Sequence, residues 1–153
     1  MTETLLFSIG HSNHSWPDFM NLLEENRVNL LCDVRSRPRS RFPWFNRKRL
    51  EPALSAGGIE YRWMGDVLGG KPAKGSLYLP GGKPDYVAMA AEAGFLTGIA
   101  ELVRYAQGEQ RVAVMCAEGD PVRCHRERLI GPAVRAAGIQ LIHLLPDGNR
   151  LLL

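Results

Sequence analysis

Leu5-Leu6-Phe7-Ser8-Ile9-Gly10-His11-Ser12-Asn13-His14-Ser15-Trp16-Pro17 is the stretch on which the fold turns. The run from Leu5 to Ile9 is apolar except for Ser8 and has no helical rhythm. Gly10 stops it, so the segment reads as a buried strand. A polar cluster follows, His11 to His14. Ser15 then stands where a helix N-cap belongs, Pro17 falls in the first turn, and Phe19, Leu22, Leu23 and Arg27 continue at helical spacing.

The same order recurs downstream. Asn29 to Val34 reads as a second strand, and Asn46 to Ala56 as a helix closed by Gly57-Gly58. Ile59 to Met64 is a third strand, followed by a glycine-rich loop from Gly65 through Gly69-Gly70 to Gly81-Gly82. Pro84 to Ala106 is helical with a break near Gly94, and Arg111 to Cys116 is a fourth strand. Pro121 to Ala137 is a helix ended by Gly138, and Ile139 to Leu145 a fifth strand. Alternation of this kind needs crossover connections. It predicts one α/β domain over residues 1–153, doubly wound, with a mainly parallel sheet of about five strands and helices on both faces.

Composition agrees with a globular chain: 45% hydrophobic and 23% charged, in 153 residues, enough to enclose a core. No apolar stretch approaches the ~18 residues of a membrane span, and the first residues lack the pattern of a secretory signal. The three cysteines, Cys32, Cys116 and Cys124, form no disulfide framework and suit a reducing cytoplasm. A net charge of +3 excludes a strongly basic nucleic-acid coat, yet the charge is uneven. Arg35, Arg37, Arg39, Arg41, Arg47, Lys48 and Arg49 occur with no acidic residue among them, which makes a local field for anions.

Open parallel sheets bind ligands beyond the carboxyl ends of their strands. Polar residues should therefore gather just after the apolar runs, and they do. Gly10 to His14 follow the first strand, Asp33 and Arg35-Ser36-Arg37 the second, and Glu118-Gly119-Asp120 the fourth.

Several of these pieces resemble the domain-of-unknown-function 488 family of bacterial and archaeal α/β proteins. The resemblance is carried by Ser8 to Ser15, by Asp33-Val34-Arg35-Ser36-Arg37-Pro38-Arg39-Ser40-Arg41 and by Leu68-Gly69-Gly70. Cys116-Ala117-Glu118-Gly119-Asp120-Pro121 and Cys124-His125-Arg126 complete it. It implies a cytoplasmic α/β domain and supplies no mechanism.

From the residues themselves, an enzyme acting on a phosphate-bearing substrate is expected, with acid–base, hydrolytic chemistry from His11, Asp33 and Glu118. Gly10 would let the backbone approach a ligand. Ser12, Arg35, Arg37, Arg39, His125 and Arg126 would hold the anion, the last two at a helix N-terminus opened by Asp120 and Pro121. The plainer alternative is a set of ion pairs: Asp33 with Arg35, and Arg126 with Glu118 or Asp120. On a helix that starts at Pro121, the core stripe is Val122, Leu129, Ile130, Ala133 and Ala137, and Cys124 falls opposite Leu129 as a structural residue.

Cys116 ends a strand before a helix, where a thiolate could serve phosphoryl or sulfur transfer. However, six residues separate it from Arg123, and acidic neighbours oppose a thiolate. No metal is expected, because the cysteines stand eight apart instead of in a tight pair. No cofactor is expected either: Gly69-Gly70-Lys71 lacks Walker spacing, and no dinucleotide fingerprint is present. That glycine stretch is expected to act as a mobile lid. Arginines interleaved with Phe42, Trp44 and Phe45 match a nucleotide or single-strand platform, so the non-catalytic alternative is a nucleic-acid-binding module.

Overall fold

The computed structural model describes residues 3–153. Its centre is one six-stranded sheet of order β3-β2-β4-β1-β5-β6. The strands are β1 (Thr4–Gly10), β2 (Leu30–Asp33), β3 (Glu60–Trp63), β4 (Val112–Cys116), β5 (Ile139–Leu144) and β6 (Arg150–Leu151). The first five run parallel, and β6 pairs antiparallel with β5. The expected α/β architecture is therefore present, with one more strand than the apolar runs indicate. β6 is only two residues long and carries no apolar run of its own.

Helices cover both faces. On one, α1 (Trp16–Glu25) and α2 (Arg47–Ala56) bury Phe19, Leu22, Leu23, Leu50 and Leu54 against Phe7, Ile9, Leu31 and Met115. On the other lie α3 (Gly65–Leu68), α4 (Tyr86–Ala90), α5 (Ala93–Gln107) and α6 (Gly131–Ala136). Their Leu68, Met89, Phe95, Ile99, Leu102 and Val134 pack on Leu6, Leu30, Cys32, Val112 and Val114. Ser15 caps α1 as expected, accepting a hydrogen bond from the Asp18 amide. The expected break in the 84–106 segment falls between α4 and α5.

The helix expected over 121–137 is not continuous. Pro121–Arg123 forms a 3-10 turn and Cys124 is extended (φ −112°, ψ 150°). Arg126–Ile130 is a π turn, and only then does α6 begin. Pro132 has no amide to donate back to the preceding turn, so a regular ladder cannot run through this region. The helical-wheel reading of 121–137 holds for Leu129 and Ile130, which are buried, and fails at other positions. Val122 is exposed, Val134 is buried, and Cys124 faces the core instead of pointing away from it.

β1 and β4 are neighbours whose outgoing connections diverge, β1 into α1 on one face and β4 towards α6 on the other. The sheet thus has its switch point between the carboxyl ends of β1 and β4, where α/β sheets take ligands. Side chains alternate along each strand, so these ends also sort residues by face. Asp33 shares the face of Leu31, while Ser8 and Cys116 share that of Leu6 and Val114. The sheet therefore stands between two polar clusters.

Candidate functional site

The first cluster lies on the α1/α2 face. Asp33, fully buried, takes the Arg35 guanidinium through Nε (2.9 Å) and Nη2 (2.7 Å), the Arg35 amide (3.1 Å) and the Tyr61 hydroxyl (2.6 Å). Arg35 uses Nη1 for the Phe45 carbonyl (2.7 Å) and for His11 Nε2 (3.3 Å). A guanidinium can only donate, so Nε2 is the accepting nitrogen and Nδ1 carries the proton, which it gives to the Ser12 carbonyl at 3.0 Å. The His11 ring stacks on Phe45 at 4.5 Å.

This bears on two of the expected catalytic roles. Both nitrogens of His11 and both oxygens of Asp33 are committed inside the protein. Asp33 and Arg35 form the ion pair that was the plainer alternative, and both side chains are buried.

Burial lowers the pKa of His11 from 6.5 to about 4, with the Arg35 charge adding to the effect. The folded-state value lies below the unfolded one, so this stability is complete above pH 6.5 and is lost as pH falls towards 4. Roughly 3 kcal/mol disappears across that window. Urea unfolding between pH 7 and 4 should show it, and His11→Gln should flatten the slope. An unchanged slope in that variant would assign the acid sensitivity to other groups. His143 is also lowered by burial and adds in the same direction.

The second cluster lies on the opposite face. Arg126 is the largest fully buried side chain. Its Nε donates to Cys116 Sγ (2.9 Å) and Cys124 Sγ (3.3 Å), Nη1 to Ser8 Oγ (2.7 Å), and Nη2 to the Glu118 carbonyl (2.6 Å). Ser8 Oγ in turn meets His143 Nδ1 at 2.5 Å, and His143 Nε2 meets Glu127 at 2.8 Å. His125 is buried with Nε2 on the Val34 carbonyl at 2.9 Å. His125 and Arg126 thus point inward, and neither faces an open surface as a substrate-binding residue would. The arginine that reaches Cys116 is Arg126; Arg123 is exposed and pairs with Asp120. Ser8, Glu127 and His143 were not singled out in the sequence, because one histidine inside an apolar strand carries no spacing signal.

The loop after β4 also departs from a thiolate-phosphate loop. Such a loop turns amides towards its sulfur, whereas here the Glu118 carbonyl points at Cys116 (3.7 Å) and Arg126. Cys116, Cys124 and His125 bring three metal-ligating atoms within 4.8 Å of one another. The Arg126 guanidinium already sits on both sulfurs, where a metal ion would have to be, so this set does not fit a metal.

Between the two clusters, the mouth of the sheet opens into a cleft of about 530 Å³. It is lined by His11-Ser12-Asn13 after β1, Arg39-Ser40-Arg41-Phe42 after β2, and Ala117-Glu118-Gly119 after β4. The loops after β1 and β4 are held together by His11 N–H to the Cys116 carbonyl (2.8 Å) and Ser12 N–H to the Ala117 carbonyl (2.9 Å). Of the expected site residues, the structure brings His11, Ser12, Arg39 and Glu118 to this cleft; Arg41, from the basic run, joins them. Gly10 has a packing reason, since a Cβ there would lie 1.8 Å from the Glu118 carbonyl oxygen. Among the described residues Arg37, Arg39 and Arg41 have no carboxylate within salt-bridge distance. Arg41 lies over Phe42, and Arg49 over the half-exposed Trp44 at 4.0 Å.

The start of the glycine-rich loop is packed, which is not how a lid is built. A Cβ on Gly69 would meet Ser36 Oγ at 2.2 Å, one on Gly70 would meet His125 at 2.9 Å, and the Lys71 amide donates to Ser36 Oγ.

The family model of the domain of unknown function DUF488 matches residues 15–131, most of the chain and all of the β2–β4 framework of the cleft. The chain belongs to that family. No curated protein and no solved structure matches it. Membership in DUF488 brings no substrate or reaction with it, so any functional reading rests on the cleft. No described helix is long and apolar enough to cross a membrane.

Proposed function

We propose that this DUF488 chain is a cytoplasmic enzyme that binds a phosphate-bearing substrate, a nucleotide or a short run of single-stranded nucleic acid, in the cleft between the β1, β2 and β4 loops. One observation carries the reading: Arg39 and Arg41 line a cleft at the sheet's switch point and, among the described residues, lack acidic partners of their own. Cations left unpaired beside a cavity attract anions, and Phe42, which also lines the cleft, offers a ring on which a base can stack.

Glu118 is the carboxylate in the cleft lining. One of its oxygens accepts the Asp120 amide at 3.0 Å, which leaves the other to activate water for hydrolysis. Acid–base work thus falls to Glu118, since His11 and Asp33 have no free lone pair facing the cleft.

Binding and chemistry separate experimentally. With a labelled single-stranded oligonucleotide and a nucleoside triphosphate as probes, Arg39→Ala/Arg41→Ala should weaken binding about tenfold or more. It should also reduce the salt slope of binding by about 1 to 2. Glu118→Gln should keep binding and abolish turnover of the bound probe. Binding retained with no turnover in either protein would make this a non-catalytic binding module. An unchanged affinity in the double variant would sink the cleft as the anion site.

A further inference from the structure

Two guanidinium groups are buried among the described residues, and they are compensated differently. Arg35 has the Asp33 carboxylate. Arg126, with no exposure at all, has no carboxylate within salt-bridge distance among the described residues. Its partners are a hydroxyl, a backbone carbonyl and two sulfurs. A buried, uncompensated charge is strongly unfavourable, and here the group able to supply a negative charge is a thiol.

The sulfurs are arranged for it. Cys116 Sγ and Cys124 Sγ lie 2.7 Å apart, close enough for one proton to serve both. Cys124 Sγ also accepts the Arg126 amide at 3.4 Å. The remaining cysteine, Cys32, has no such partner, and burial pushes its thiol up to about 12.

We propose that Cys116 and Cys124 are a redox-active dithiol, with Arg126 as the fixed counter-ion of the Cys124 thiolate and a hydroperoxide as the oxidant. Both sulfurs are only 4% exposed, which favours a small oxidant over a bulky disulfide. The Cys124 thiolate attacks the terminal oxygen of the hydroperoxide. The O–O bond breaks, the alkoxide leaves and is protonated by solvent, and Cys124 becomes a sulfenic acid. The Cys116 sulfur then attacks the Cys124 sulfur. The thiol proton leaves with the hydroxyl as water, and a disulfide closes. In sum, two thiols and one hydroperoxide give a disulfide, an alcohol and water.

The directions of the sulfur pKa values fit this order. Burial and the bond to Cys124 raise Cys116, while that bond and the Arg126 charge lower Cys124. Because Arg126 stabilises the reduced pair, the disulfide should be readily reduced. The inference is independent of the cleft's ligand.

The full chain is treated with one to a few equivalents of hydrogen peroxide at pH 7, denatured in alkylating agent, and analysed by intact mass and peptide mapping. The expected product is 2 Da lighter, linked between Cys116 and Cys124, reversed by dithiothreitol, with Cys32 alkylated as a free thiol. Cys116→Ser should leave a Cys124 sulfenic acid that dimedone traps. Arg126→Met should shift the thiol–disulfide equilibrium towards the disulfide by about tenfold or more, about 30 mV for a two-electron couple. Should either serine or methionine variant fail to fold, the wild-type mass shift decides alone. Over-oxidation without a cross-link overturns the proposal, as does no reaction, or a stoichiometric metal held by the two sulfurs in the purified protein.

Discussion

Asp33→Ala should cost about 3–5 kcal/mol in urea unfolding at pH 7, a large part of the stability of a domain this size. The carboxylate is fully buried and accepts the Arg35 side chain, the Arg35 amide and the Tyr61 hydroxyl. Truncation removes a charge and leaves the Arg35 Nε and Nη2 donors, the Tyr61 phenol and the Arg35 amide without that acceptor, in a place water does not reach. The loss should spread further, because Arg35 also holds His11 Nε2 and the Phe45 carbonyl. Asp33→Asn should cost less, since the amide keeps one acceptor oxygen. Asp33→Leu combined with Arg35→Met should recover much of the loss, because removing both charges avoids the unpaired one. A cost for Asp33→Ala below about 1 kcal/mol would show that Arg35 finds another partner.

The two buried arginines also show where sequence reading reached and where it stopped. Strands β1 to β5 were legible from their apolar runs, and α1 from Ser15 and Pro17, because these signals are local. The gathering of polar residues at strand ends followed from the same runs. Which face each end residue takes was not legible. In a parallel sheet covered on both sides, both faces of a strand are apolar, so alternation does not mark Asp33 as lying across the sheet from Cys116. That single ambiguity split an expected common pocket into two buried networks with a cleft between them. Cys124 was misplaced for a different reason. Helical phase counted from Pro121 does not reach it, because Pro121–Arg123 is a 3-10 turn and Cys124 is extended, so the helical turns begin only after it. Arg126 compounded this, since a charged residue is expected to seek a ligand or a carboxylate and instead meets two sulfurs.

Gly10→Ala is a single-methyl change expected to cost about 3 kcal/mol or more. The reason is space. The added carbon would sit 1.8 Å from the Glu118 carbonyl oxygen and 2.9 Å from Gly119 Cα, both backbone atoms with no rotamer to yield. The β4 loop must move away, and three things depend on its position. His11 N–H and Ser12 N–H bond to the Cys116 and Ala117 carbonyls, the Glu118 carbonyl holds Arg126, and Ala117 to Gly119 form one wall of the cleft. Gly138→Ala is the matched control. Gly138 has φ +83° and open space around its Cβ position, so its replacement should cost only the left-handed strain of about 1 kcal/mol. Gly10→Ala should also weaken oligonucleotide binding at the cleft, which Gly138→Ala should not. If thermal denaturation gave the two variants equal stability, the close seating of the β4 loop on β1 would be refuted. With it would fall the idea that one backbone contact sets both the cleft wall and the seat of Arg126.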